Sequence, residues 1–145
     1  MLVKSIRAAL AGLACAAFAA GCGGAAALPE TEGTVVGPDG KPMPNVLVQF
    51  TPVESKGAKV VTSSAVSGPD GKFSLKADTG QTGAVAGRHK VVLIDNDLNT
   101  EDEPTAKGKK LVSRIPREYL SPATTPLEVT VEAGKKTHEL KIMSR

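Results

Sequence analysis

Beyond Cys22, the chain consists of short runs of alternating apolar and polar residues separated by Gly, Pro, Asp and Asn. No stretch keeps a helical period for three turns, which argues against a helical domain. A period of two is typical of strands with one buried face, and several such runs with regular turns predict an all-β sandwich or barrel. The predicted strands cover residues 32–36, 45–51, 59–66, 72–77, 88–94, 127–131 and 137–142. Residues 110–115 are a further candidate, a sixth or edge strand that ends before Pro116.

The alternation also predicts which side chains face the core. The inward positions are Val46, Val48 and Phe50 in the second strand, Phe73, Leu75 and Ala77 in the fourth, Leu127, Val129 and Val131 near the end, and Leu140 and Ile142 in the last strand. The unbroken apolar run at residues 91–94 predicts burial on both faces of that strand.

Two identical pentapeptides, Gly-Pro-Asp-Gly-Lys at residues 37–41 and 68–72, lie 31 residues apart. Proline presets φ for a turn, aspartate bonds nearby backbone, and glycine accepts a positive φ. We therefore expect Gly40 and Gly71 to have positive φ. The pair fits either two common turns or an internal repeat.

Residues 1–21 form a predicted export signal that ends at Cys22. Lys4 and Arg7 give a positive start, residues 8–20 are an apolar run of 13, and small residues precede Cys22. This order of charged, apolar and small residues is typical of a signal peptide. A membrane-spanning helix needs about 20 apolar residues, so the run is short for a span.

The segment Ala-Ala-Gly-Cys at residues 19–22 resembles the lipobox of bacterial lipoproteins. That resemblance implies palmitate-type lipidation of Cys22 and a membrane anchor in the cell envelope, with residues 22–31 as the lipidated cysteine and a flexible tether. The outer membrane is favoured because Gly23, rather than Asp, follows the cysteine. Cys15 is a second candidate, and a signal peptide cut near Ala27 or a buried thiol are the alternatives.

Charge and cysteine content narrow the possible partners. The net charge of +3 falls to +1 once Lys4 and Arg7 leave with the leader. No cluster of Lys and Arg alternates with aromatic residues, so nucleic acid is not an expected partner. If Cys22 is lipidated, no second cysteine is left for a disulfide.

Residues 33–48 resemble the opening of carboxypeptidase-regulatory-like, or transthyretin-like, β-sandwich domains. Residues 67–75 resemble the family's second signature, a D-G-x-F turn before a strand, and residues 87–92 its third, a glycine before a strand. Residues 115–119 and 126–131 are similar to small bacterial lipoproteins with this domain. The resemblance covers about residues 32–142 and implies a seven- to eight-stranded Greek-key β-sandwich in the domain at residues 32–145. These turn and core motifs specify a fold better than a function.

The sequence contains no pattern that predicts catalytic, cofactor-binding or metal-binding residues. It has no nucleophile elbow and no phosphate-binding glycine loop. His89 and His138 each begin a predicted strand, and we expect both to be hydrogen-bonded residues at the edge of the core. The acidic run at residues 95–103 is the one candidate for a calcium site. It lacks the spacing of an EF-hand, so a solvated loop, neutralised by Lys107, Lys109 and Lys110, is favoured.

These observations favour a lipid-anchored, non-catalytic structural or interaction module with an unknown protein partner in the cell envelope. Calcium-dependent adhesion is an alternative through the acidic run. Carbohydrate binding is another, although only Phe50, Phe73 and Tyr119 are aromatic beyond the leader. The transthyretin-like group includes 5-hydroxyisourate hydrolase, whose C-terminal Tyr-Arg-Gly-Ser is replaced here by Lys-Ile-Met-Ser-Arg. That replacement argues against the hydrolase.

Overall fold

The computed structural model describes residues 28–54, 59–98 and 113–143. The strands in these ranges are β1 (Glu32–Val36), β2 (Val46–Pro52), β3 (Ser63–Val66), β4 (Lys72–Ser74), β5 (Lys76–Ala77), β6 (Gly87–Asp95), β7 (Glu128–Val131) and β8 (Thr137–Lys141). Short 3-10 turns occupy Asn96–Leu98 and Arg117–Leu120. The all-β class predicted from the alternation is confirmed.

The strands form two sheets. In the three-stranded sheet the order is β4-β1-β8, and in the five-stranded sheet it is β5-β3-β2-β6-β7. β1 and β8 are parallel, whereas all the other paired strands are antiparallel. The first strand therefore lies between two strands that come much later in the chain.

The core lies between the two sheets and takes side chains from both. The buried residues of this single cluster include Val35, Phe73 and Leu140 from the smaller sheet and Val48, Phe50, Val91 and Leu93 from the larger one. The rings of Phe50 and Phe73 contact each other with centroids 6.3 Å apart. The inward positions predicted for β2, for residues 73–77 and for residues 140–142 are all buried. Leu127 and Val129 are only half-buried.

The predicted fourth strand, residues 72–77, is wrong as one unit because it divides at Leu75. β4 pairs with β1 in the smaller sheet, and β5 pairs with β3 in the larger one. Leu75 is fully buried, its N–H bonds the Thr31 carbonyl, and its carbonyl accepts from Gly83. The chain thus crosses between the sheets here and closes one side of the fold.

Other predicted strand bounds also differ from the observed ones. The strand predicted at 45–51 is Val46–Pro52, the one predicted at 88–94 is Gly87–Asp95, and the one predicted at 127–131 is Glu128–Val131. The third strand begins at Ser63, because residues 59–62 are not extended into the ladder. The last strand ends at Lys141 rather than at residue 142. In the candidate strand at 110–115, residues 113–115 are not strand, and residues 110–112 lie outside the described ranges. Ser113 Oγ bonds the Ile115 backbone there, and this local bond replaces ladder pairing.

The two identical pentapeptides fold identically. In each turn the fourth residue donates its N–H to the carbonyl of the first, Gly40 to Gly37 at 3.0 Å and Gly71 to Gly68 at 2.9 Å. In each, the aspartate Oδ1 accepts from the N–H two residues on, at 3.1 Å for Asp39 and 3.2 Å for Asp70. The positive φ predicted for both glycines is confirmed, with 77° at Gly40 and 71° at Gly71.

Candidate functional site

The sequence candidates fall partly within the described residues. The leader with Cys15, and the tether from Cys22 to residue 27, lie outside the described residues. So do residues 99–103 of the acidic run and the lysines at positions 107, 109 and 110. The described candidates occupy opposite ends of the fold. Asp95 and Asp97 lie where β6 ends, and His89 and His138 lie where β6 and β8 begin.

At the first end, the buried Asp95 forms an ion pair with the exposed Arg114. Arg114 Nη2 lies 2.5 Å from Asp95 Oδ1, and Arg114 Nε lies 3.0 Å from Oδ2. The backbone N–H of Arg114 also donates to Oδ2, at 3.0 Å. The Asp95 side chain is 2% exposed and that of Arg114 is 37% exposed. Two parallel charge-assisted bonds to one carboxylate fix the geometry of the pair as well as its charge.

Neighbouring polar groups extend this cluster. Arg114 Nη2 also lies 2.7 Å from Asp97 Oδ2 and donates to the Pro44 carbonyl at 3.2 Å. The Asn45 side chain donates to Asp97 Oδ1 and accepts from Asn96. Asn45 has φ of 57°, a left-handed conformation that asparagine tolerates better than most residues. The start of β2, the end of β6 and the segment at residue 114 are thereby joined.

The hydrogen bonds from Arg114 lower the pKa of the Asp95 carboxyl below its usual value and more than offset the effect of burial. Hydrogen bonding to Asp95 correspondingly raises the pKa of Arg114. The carboxylate therefore already has a cationic partner, which occupies the positions that a calcium ion would need. The interpretation of Asp95 as a calcium-ligand candidate is not favoured by this geometry. Sequence reasoning missed Arg114, because no local pattern links it to a residue 19 positions earlier.

At the opposite end, His89 is fully buried on the inner face of β6. Its Nε2 lies 2.7 Å from the Val85 carbonyl oxygen. Its Nδ1 is buried and has no hydrogen-bond partner among the described residues. The hydrogen bond to a carbonyl assigns the proton to Nε2 and leaves a lone pair on Nδ1. Burial lowers the pKa of His89, and the bond to Val85 only partly opposes this.

His138, on β8 in the other sheet, is also buried. It is 6% exposed, and the Lys135 backbone lies on the side of the ring where it favours a proton. Its Nε2 is buried and without a hydrogen-bond partner in the described part of the chain. Burial lowers the pKa of His138, and the charge of Lys135 lowers it further. The expectation that both histidines lie at the core edge is confirmed, but the expectation that they are fully hydrogen-bonded is wrong for one nitrogen of each.

Both imidazoles contact Phe50. The ring centroid of Phe50 lies 5.7 Å from that of His89 and 6.5 Å from that of His138. We call Phe50, Phe73, His89 and His138 the aromatic cluster. The cluster links the two sheets through rings, and its two ionisable members come from different sheets.

These arrangements restrict the chemistry available to the described residues. His89 bonds a backbone carbonyl, and neither ring has a hydrogen bond to a serine or a carboxylate of the described residues, so no nucleophile–base pair forms among them. Within the same ranges, no three His, Cys, Asp or Glu side chains form a group able to hold a metal ion.

The three aromatic residues considered for sugar binding are all buried. Phe50 is 0%, Phe73 4% and Tyr119 1% exposed. The Tyr119 hydroxyl accepts a hydrogen bond from the Met143 N–H at 3.0 Å. A stacking platform needs an exposed ring, and none of these three side chains provides one.

Compared with protein-family models, curated proteins and solved structures, the chain gives no match in any of the three. Across residues 28–54, 59–98 and 113–143, no helix is long and apolar enough to cross a membrane.

Proposed function

We propose that this chain is an exported lipoprotein, anchored through Cys22, whose β-domain acts as a non-catalytic structural or interaction module in the cell envelope. We also propose that the domain is a Greek-key sandwich of the transthyretin-like, carboxypeptidase-regulatory-like kind. The placement of β1 between β4 and β8, with the sheet crossing at Leu75, supports that topology.

The proposal that the domain is non-catalytic rests on one observation. Among the described residues, the aspartate and histidine side chains considered as site candidates make contacts within the fold. Asp95 is held by Arg114, His89 is held by the Val85 carbonyl, and His138 is buried against Phe50. Active sites tend to leave such groups aimed at a cleft where a substrate can reach them. Here the same groups bind one segment of the fold to another.

Residues 29–31 are bonded to the rest of the domain, and this sets the greatest distance between the domain and an anchor at Cys22. The Pro29 carbonyl accepts from Ala84, the Thr31 carbonyl accepts from Leu75, and Glu30 pairs with Lys136. Pro29 lies seven positions after Cys22. Because an extended chain spans at most about 3.6 Å per residue, the end that holds the aromatic cluster would lie within roughly 25 Å of the anchor.

The anchor is tested by mass spectrometry of the native N-terminus and by fractionation of envelope membranes. We expect an acylated Cys22 as the first residue. We expect Cys22→Ser to release the domain from the membrane fraction, since stable anchoring takes two or more acyl chains. Cys15→Ser is the matched control and should leave the membrane fraction unchanged. An unmodified mature N-terminus at another residue would contradict the proposal. Density separation of the two membranes tests the preference for the outer one.

The alternative of calcium-dependent adhesion is tested by thermal melts of the Cys22→Ser protein with millimolar Ca²⁺ and with a chelator. We expect the two melting temperatures to agree. A bound ion would stabilise the fold by about 2.7 kcal/mol at a hundredfold excess over Kd. An upward shift with Ca²⁺ that Asp97→Asn abolishes would favour the adhesion module instead.

A further inference from the structure

We propose that the aromatic cluster makes one end of this fold acid-sensitive: proton uptake by His89 and His138 loosens the edge of the fold formed by β7 and β8. This device goes beyond the proposed anchoring and does not depend on it. It rests on where the two imidazoles lie, on their unpartnered nitrogens and on the strands that hold them.

The two imidazoles share one buried neighbour. Both contact the ring of Phe50, which is fully buried, and both have a buried nitrogen with no partner in the described residues. A neutral imidazole can leave a lone pair unpaired at moderate cost. Protonation turns that nitrogen into a charged donor facing apolar groups, which costs far more. Ser63 Oγ, the third buried polar atom of this kind, stays uncharged across the same pH range.

The carboxylates closest in strand register to His89 pair with basic side chains instead of with the ring. Arg88 and Lys90, the neighbours of His89 in the chain, place their side chains on the outer face of β6. There they form ion pairs with Glu54 and Glu128. β2 contributes no charged residue at all. The burial pattern of β7 leaves Glu128 exposed. The charges nearest to His89 therefore lie on the outside of the sheet.

Around His138 the electrostatic surroundings are unfavourable to a proton. Glu139 lies on the exposed face of β8 and pairs with Lys141, and Glu32 lies on the exposed side of β1. Lys135, at the turn before β8, is the charged group whose field acts on the ring, and it is a cation. Glu132 and Lys135 line a surface cleft beside His138, which gives a short path for a proton to enter.

The edge that should loosen follows from the connections. β7 is the last strand of the larger sheet and β8 the last of the smaller one, and a single turn joins them through the bridge between Glu132 and Lys135. On the opposite side, the continuous chain through Leu75 ties the two sheets together. His89 pairs in register with Val129 of β7, and His138 is itself part of β8. Charging both rings therefore strains the edge formed by β7 and β8, because both histidines take part in strand pairing there.

The sign of the pH effect is defined by the folded and unfolded pKa values. Burial lowers the folded pKa of both histidines below the unfolded value near 6.5. Below that value the unfolded chain binds more protons than the folded one, so stability is full above about pH 6.5 and falls as the pH drops towards the folded pKa values. Each histidine can raise the unfolding constant by up to about tenfold per pH unit in that window, and the two by up to roughly a hundredfold.

The test is urea denaturation of the native protein between pH 7.5 and 5.0, compared with variants that keep the neutral donor. His89→Gln places an amide donor near the position of Nε2, and His138→Asn places one near Nδ1, and neither can be charged. We expect a steep loss of stability towards pH 5.0 in the native protein. Each single variant should remove part of the pH dependence, and the double variant should remove nearly all of it. Asp95→Asn, at the other end, is the control and should leave this dependence in place.

A second measurement keeps the proposal testable if the variants do not fold. NMR titration of the imidazole Cε1–H signals in the native protein should show both rings neutral well below pH 6.5. Amide exchange, corrected for its intrinsic pH dependence, should show lost protection in Thr137–Lys141 before β2. Imidazoles that titrate near 6.5, or an unfolding constant that changes less than about threefold between pH 7.5 and 5.0, would overturn the proposal.

Discussion

At the level of single residues, the two Gly-Pro-Asp-Gly-Lys turns separate backbone conformation from packing. Gly40 and Gly71 have nearly the same positive φ and the same hydrogen bonds. A Cβ on Gly40 would have no atom within 4 Å. A Cβ on Gly71 would lie 2.8 Å from Pro42 Cβ and 2.9 Å from the Val35 carbonyl oxygen. The second turn therefore packs against the residues on both sides of the first turn.

This difference predicts unequal costs for the same substitution. Gly40→Ala should lower the free energy of unfolding by about 1–2 kcal/mol, the cost of a left-handed conformation in a residue with a Cβ. Gly71→Ala should cost about 1–3 kcal/mol more, because backbone atoms must also move to admit the methyl group. Urea denaturation of the two variants side by side measures the difference. Equal losses would show that the contacts around Gly71 do not constrain it.

At the level of elements, the segment at residues 113–116 is held to the fold by the Asp95–Arg114 ion pair and by the burial of Ile115 in the core, rather than by ladder bonds. Asp95 is the last residue of β6 and pairs in register with Val46 of β2. Arg114 donates hydrogen bonds to the Asp95 carboxylate from its side chain and from its backbone N–H. Loss of the guanidinium would leave a buried carboxylate with few partners. Because Arg114 is about one-third exposed, water can replace part of what it provides.

We expect Arg114→Met to cost about 1–3 kcal/mol at neutral pH. In the native protein the lowered pKa of Asp95 means that its stabilisation is present above the ordinary value of 3.8 and is lost as the pH falls through the folded pKa. In the variant the side-chain bonds are lost while the backbone N–H bonds to Asp95 remain, so the pKa of Asp95 lies closer to its ordinary value and less stability is lost on acidification. Urea denaturation from pH 3 to 6 measures this weaker pH dependence. A variant with the native pH profile below pH 5 would contradict this role for the pair.

Some of these elements follow from the sequence, and others depend on contacts that no local pattern encodes. The alternation at Val46, Val48 and Phe50 is enough to predict both the strand and its buried face, because a period of two has one structural meaning there. Leu75 continues the same alternation, so the change of sheet at that residue is invisible in the pattern. The same limit applies to Arg114, whose role depends on a partner distant in sequence. The histidines were located correctly, but their unpaired nitrogens depend on which carbonyls the folded backbone brings near.

At the level of the whole molecule, the two ends of the fold contain ionisable groups of different kinds. A carboxylate with a lowered pKa holds one end, and two histidines with lowered pKa values lie at the other. Their titrations fall in separate pH windows, below about 4 for the carboxylate and below about 6.5 for the imidazoles. The fold is therefore expected to lose its two ends one after the other on acidification, beginning with the histidine end.

The parallel pairing of β1 with β8 has a consequence for the time at which the domain can fold. β1 is the central strand of its sheet, and the pairs from Glu32–Thr137 to Val36–Lys141 join residues about a hundred positions apart. Until residues 137–141 are available, one edge of β1 is open, and Leu140 and Ile142 are missing from the core. Contacts so far apart in sequence form slowly, because a large loop must close before they are gained. A chain that emerges from a ribosome or passes through a narrow channel with its N-terminus first would remain unfolded until almost all of it had been made or had crossed. Such a delay keeps a polypeptide in the extended state that threading across a membrane requires.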